Sequence, residues 1–236
     1  GDLVEGGEVT RFEITPDSSK VVYLADQSLD DQFLLYGANL DGSVNWLLHT
    51  EPVIPGTVDV VTFLITPNSQ GVVFKADPIV DNRYDLFVVP VLGGTSIRLN
   101  KELLDFDYIS SIRITPNSLG VVYAALTEPG KMQLFASWIT GTYETRLNSE
   151  LPPGGSVSDF RISPNSQGVV FIADQEIDGV KNIYAVPTWG GMDPVQLNPP
   201  LVEAGEVLGF DITADSNGVV YRADQEVNEL WELFIT

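Results

Sequence analysis

One segment of this chain is written five times. The copies read FEITPDSSKVVYLADQ from Phe12, FLITPNSQGVVFKADP from Phe63, IRITPNSLGVVYAALT from Ile112, FRISPNSQGVVFIADQ from Phe160 and FDITADSNGVVYRADQ from Phe210. The Thr or Ser ahead of each turn stands at Thr15, Thr66, Thr115, Ser163 and Thr213, giving intervals of 51, 49, 48 and 50 residues. That period suits one small β-sheet unit per repeat and is too long for leucine-rich repeats. No stretch shows helical hydrophobic periodicity.

Within one repeat the residues predict strand, hairpin, strand, loop, strand, turn, strand. The first strand alternates, with Phe12 and Ile14 on one side and Arg11 and Glu13 on the other. In the turn TPNSQG, Pro67 and Asn68 supply a fixed φ and a side chain that bonds its own backbone. Gly71 is expected where the chain needs positive φ. Val72-Val73-Phe74 forms a second strand and Asp85-Leu86-Phe87-Val88-Val89 a third. Gly93-Gly94 then marks a tight turn before a fourth strand ending Ile97-Arg98-Leu99-Asn100. Sheets with two partly apolar faces cannot stand alone. Radial stacking buries both faces and leaves short edges, so the fold class is read as an all-β propeller of four-stranded blades.

Repeats such as TPNSQGVVFKADPIVDNRYDLFVVPVLGGTSIRLN resemble the WD40-like (PD40) repeat of TolB-type propellers. The chain departs from that pattern in three places. Asn or Asp followed by Ser replaces Asp-Gly, Gly141 stands alone where repeat two has Gly93-Gly94, and Ala214 replaces the turn proline in repeat five. The resemblance implies a platform for protein interaction, an accessory propeller on a larger enzyme, or a surface-protein module, because one fold carries many functions.

The blades are placed at about 8–50, 58–101, 108–149, 156–199 and 206–236, within a single domain 1–236. The chain opens at Gly1 with neither an initiator Met nor a signal peptide, and reads as a processed or excised piece. At the other end Glu232-Leu233-Phe234-Ile235-Thr236 matches a third strand, so the last blade is expected to lack its outer strand. Two readings stay open, a five-bladed ring with one three-stranded blade or an excerpt of a longer propeller. The edge at Leu233, Phe234 and Ile235 is a candidate partner site, including self-association, because unpaired edges accept strands.

Charge narrows the partners. Thirty-three acidic residues against twelve basic ones leave a net charge of −21, which disfavours nucleic acid and anionic membrane surfaces. No apolar run reaches the eighteen or so residues of a spanning helix. There is no cysteine and one histidine, His49, which aligns with Asn100, Asn148 and Asn198 and reads as a turn residue. Cys-based metal sites and the usual nucleophilic triads are therefore absent, and the chain is read as non-enzymatic. The acidity, the absence of cysteine and the family resemblance point to an extracellular, cell-surface or periplasmic setting.

Four sets of residues remain as candidate sites. Acidic loops follow the second strands (Asp26, Asp30, Asp31; Asp77, Asp81; Asp174, Glu176, Asp178; Asp224, Glu226), and Asp174 with Asp178 is a weak Ca²⁺ candidate. Local backbone bonding is the plainer role for these aspartates, and no other cofactor is expected. Equivalent first-strand positions hold Glu13, Leu64, Arg113, Arg161 and Asp211, read as ion pairs in a channel or as an anion site between Arg113 and Arg161. Trp189, ahead of Gly190-Gly191, is a candidate to anchor a protein or stack on a glycan, with packing over a neighbouring outer strand as the plainer role.

Overall fold

The computed structural model describes residues 3–49, 59–77, 84–101, 108–128 and 130–236. Its strands form five sheets. The first holds β1 (Val9–Ile14), β2 (Lys20–Ala25), β3 (Leu34–Asn39) and β4 (Asn45–Leu47). The second holds β5 (Val60–Ile65), β6 (Gly71–Ala76), β7 (Asp85–Pro90) and β8 (Ile97–Arg98). The third comprises β9 (Tyr108–Ile114), β10 (Gly120–Glu128), β11 (Lys131–Trp138) and β12 (Glu144–Arg146). The fourth comprises β13 (Val157–Ile162), β14 (Gly168–Ala173), β15 (Asn182–Pro187) and β16 (Val195–Gln196). The fifth has three strands, β17 (Val207–Ile212), β18 (Val219–Ala223) and β19 (Glu232–Ile235). In every sheet each strand lies beside its neighbour in sequence, as the repeat predicts. Two compact units result, residues 1–108 with 139–142, and residues 109–138 with 143–236.

Each sheet carries one aromatic pair stacked across its second and third strands: Tyr23–Tyr36, Phe74–Phe87, Tyr123–Phe135, Phe171–Tyr184 and Tyr221–Phe234. Ring centroids lie 5.4–5.5 Å apart in all five. The partners sit directly opposite in the ladder, where cross-strand contacts stabilise a sheet most. These aromatics give each blade a bulky face. In the first unit Phe63, Phe74 and Phe87 pack on Val22, Leu24 and Leu35 of the preceding blade. In the second unit Phe160, Phe171 and Tyr184 pack on Val122, Ala124 and Leu134, and Phe210, Tyr221 and Phe234 pack on Val170, Ile172 and Ile183. An aromatic face on an aliphatic face is thus the repeating contact.

The turn differs from the expectation at one residue. Positive φ falls on the serine, at Ser18, Ser69, Ser118, Ser166 and Ser216 (φ 56–63°), whereas Gly71 begins β6. Thr66 O accepts from Ser69 N at 2.8 Å, and the chain then needs one left-handed residue to rejoin the ladder. Glycine would adopt that conformation with less strain. Serine adds a hydroxyl that reaches the blade before it. Ser69 Oγ accepts from Asp17 N at 3.0 Å, Ser166 Oγ from Asn117 N at 3.0 Å, and Ser216 Oγ from Asn165 N at 3.1 Å. The replacement of Asp-Gly by Asn-Ser is therefore a tie between consecutive turns.

Phe12 occupies the repeat position of Phe63, Phe160 and Phe210, yet is 68% exposed where they are 0%, 2% and 7% exposed. Phe63→Ala should cost about 3–5 kcal/mol in denaturant unfolding, and Phe12→Ala about 0.5 kcal/mol or less. Equal losses at the two positions would refute the packing rule.

Candidate functional site

The fourth strand of each complete blade is short, and the residue after it clips it down. In the second blade Leu99 N donates to Leu86 O at 2.8 Å, and Asn100 Oδ1 accepts from Leu86 N at 2.6 Å. The third blade repeats this with Leu147 N on Leu134 O (2.8 Å) and Leu134 N on Asn148 Oδ1 (2.8 Å). The fourth does so with Leu197 N on Ile183 O (2.8 Å) and Ile183 N on Asn198 Oδ1 (2.9 Å). One side-chain acceptor thereby satisfies a third-strand N–H where the fourth strand has ended.

His49 performs this task in the first blade. It is 1% exposed, its Nε2 accepts from Leu35 N at 3.4 Å, and its ring stacks on Phe74 at 5.2 Å. An accepting Nε2 requires the neutral ring, and burial pushes its pKa down to about 4. Sequence reasoning aligned His49 with the asparagines but missed the shared acceptor role. The signal was the recurrent Leu-Asn at the end of each repeat.

The fifth blade lacks this arrangement among the described residues. Val219 and Thr236 exchange both N–H···O bonds, at 2.9 and 3.0 Å. Strand alternation then turns the N–H and C=O of Leu233 and Ile235 toward the free edge. Both side chains are 74% exposed, while Phe234 turns inward against Tyr221. Beside the sheet lies a groove of about 560 Å³, lined in part by Ala185, Val195, Leu197, Gly218 and Thr236.

The remaining candidates are occupied locally. Arg113 Nε donates to Phe160 O at 3.0 Å, and its guanidinium lies 5.5 Å from the Phe160 ring centre. Arg161 lies 5.7 Å from the Phe210 ring centre and pairs with Asp211 at 3.0 Å. Both side chains of that pair are exposed, so it adds about 1 kcal/mol at most. Glu13 pairs with Arg11, whose guanidinium lies over Phe63. The arginines thus cover the phenylalanine of the next blade.

Asp174 accepts from Ser156 N (2.5 Å) and Gly179 N (3.0 Å), and Asp224 accepts from Glu206 N (2.7 Å) and Glu229 N (3.0 Å). Asp178 lies against Gly154, where a Cβ would overlap its carboxylate. Asp81 falls outside the described residues. Among the described residues no three His, Cys, Asp or Glu side chains are grouped to hold a metal ion. Trp189 covers Gly120 of the third blade and meets Trp138 edge-on at 5.6 Å, while Tyr143 Oη donates to Trp189 O at 3.0 Å. Trp138 is the more open indole, 45% exposed.

No protein-family model and no curated protein matches the chain. Solved structures do. A prolyl endopeptidase studied for inter-domain dynamics in catalysis and specificity matches at 12% identity and a TM-score of 0.61, covering 98% of this chain and 34% of that one. A puromycin-hydrolysing peptidase of Mycobacterium tuberculosis matches at 14% identity and a TM-score of 0.59, covering 98% and 35%. The fold is a β-propeller. The chain spans about a third of the length of these two peptidases. A putative TolB from Agrobacterium tumefaciens also matches, at 18% identity and a TM-score of 0.49, covering 96% of this chain and 76% of that one. At 12% and 14% identity the two peptidases speak for the fold alone.

The unfolded chain takes up a proton at His49 near pH 6.5, the folded chain only near 4. Stability should therefore be full above pH 6.5 and fall as pH drops through that window, by roughly 3 kcal/mol at this site. His49→Asn should remove that part of the loss. Parallel stability–pH curves for the two proteins between pH 7 and 4 would refute the neutral-acceptor role.

Proposed function

We propose that this chain is a non-enzymatic scaffold propeller that binds a protein partner at the outer edge of its fifth blade, through Leu233 and Ile235, with Phe234 turned inward to hold the strand. The observation that carries this reading is the backbone of Leu233. Its counterparts Leu86, Leu134 and Ile183 have both N–H and C=O bonded by a fourth strand and its clip, whereas those of Leu233 face the free edge. A strand edge with exposed aliphatic side chains favours addition of an extended segment, in which backbone bonds supply affinity and side chains supply selectivity. A second copy of this chain is one such partner.

The net charge of −21 and the absence of cysteine support an extracellular, cell-surface or periplasmic setting. Among the described residues no helix is long and apolar enough to cross a membrane.

Excess peptide PVQLN, copied from residues 194–198, should bind the 236-residue chain, raise its melting temperature and slow hydrogen exchange at the Leu233 amide. A peptide that neither binds nor protects that amide would rule out this edge as the docking site. Light scattering over a concentration series then separates self-association, seen as growing mass, from a monomer that awaits a different protein.

A further inference from the structure

We propose that the third and fourth blades carry a second site, an aromatic corner joined to a polar groove, which binds a neutral glucan-type oligosaccharide. The site lies within the unit of residues 109–138 and 143–236 and is independent of the edge of the fifth blade.

The third blade leaves the pattern of the others at two positions. Trp138 ends β11 opposite Gly120, where the equivalent third-strand residues are Asn39, Pro90 and Pro187. Tyr143 precedes β12, where the first, second and fourth sheets have Val44, Thr95 and Asp193 in the same register. Aromatic residues therefore flank this turn in the third sheet and in none of the other four-stranded sheets.

Trp138 N donates to Tyr143 O at 3.1 Å, so the two face each other across the hairpin. Trp138 meets Tyr143 edge-on at 6.3 Å and Trp189 at 5.6 Å, with ring planes 61° and 65° apart. Tyr143 Oη donates to Trp189 O and locks the phenol in place. These contacts fix the rings before any ligand arrives, which lowers the ordering cost of binding. They still leave Trp138 45% and Tyr143 42% exposed.

The same strand and turn continue into a groove of about 550 Å³, lined in part by Thr145, Ser149, Glu150, Met192 and Asp193. Alternation puts Tyr143 and Thr145 on one side of β12, roughly 7 Å apart. Gly190 lets the turn after Trp189 close onto that side, since a Cβ there would stand 3.2 Å from Thr145. Glu150 and Asp193 are exposed and make no ion pair among the described residues.

An all-equatorial pyranose suits both halves. Its axial C–H bonds form a flat, slightly positive face that rests on the electron-rich face of an aromatic ring. Its rim of hydroxyls needs acceptors and donors alongside, which Glu150, Asp193, Thr145 and Ser149 supply. A protein partner is the poorer match, because Asp, Glu and Ser are the types that interface cores lack. Acidic glycans are disfavoured by the two carboxylates and by the net charge of −21.

The test titrates the 236-residue chain with cellohexaose by calorimetry and tryptophan fluorescence, beside hexagalacturonate and hexalysine. Cellohexaose should bind with the same affinity at about 50 and about 500 mM salt, because no charge is exchanged. Hexagalacturonate should not bind. Trp138→Ala should weaken cellohexaose roughly tenfold, and Trp138→Phe should recover most of that loss. Asp193→Ala should weaken it severalfold. Trp138 is exposed, so neither of its variants should shift the melting temperature by much. Cellohexaose that fails to bind, or that binds equally to Trp138→Ala, would overturn the inference. Salt-sensitive binding of hexalysine that is lost in Asp193→Ala, without cellohexaose binding, would overturn it and assign the groove to a cationic segment.

Discussion

The structure depends on one contact made repeatedly, an aromatic sheet face laid against the aliphatic face of the blade before it. The stacked pairs Phe74–Phe87, Phe171–Tyr184 and Tyr221–Phe234 stiffen the bulky side of a sheet. The facing Val, Leu and Ile residues fill the space those rings leave. A single blade offers too little burial to fold alone, so each sheet is stable only because a neighbour covers it. Everything polar in the repeat is arranged around that requirement.

Two polar devices hold the layers and their edges. The left-handed serine of the turn accepts a bond from the previous turn, which fixes how far one sheet slides over the next. The residue after the fourth strand clips a strand only two or three residues long, supplying an acceptor where the ladder runs out. His49 shows how loosely the clip depends on residue type. An imidazole nitrogen replaces a carboxamide oxygen, at the cost of a proton-sensitive buried group. The same logic explains the acidic loops, where Asp174 and Asp224 bind backbone N–H groups that the strands leave over.

These devices also account for why the fifth blade stands out. Its strands follow the rule of the others up to Thr236, with the aromatic pair in place and the inner ladder intact. The bonds exchanged by Val219 and Thr236 leave the N–H and C=O of Leu233 facing away from β18. The functional reading rests on that strand edge rather than on any cluster of reactive side chains.

Much of this was legible in the residues. The five copies determined strand order and turn positions, because alternation and turn chemistry are local properties. The alignment also placed His49 correctly among the asparagines. Other features had to wait for the tertiary structure. Positive φ fell on Ser69 rather than Gly71, since the serine hydroxyl is needed by a turn some fifty residues away in sequence. Arg113 and Arg161 read in the sequence as channel ion pairs or an anion site, and only the structure shows that each also lies over the phenylalanine of the following blade. Trp189 reads in the sequence as either packing or recognition, and the structure shows its ring filling the space above Gly120. The sequence by itself determined what each strand is, because that is set by neighbours along the chain. Only the tertiary structure decided which side chains remain available, because availability is set by the blade that stacks on top.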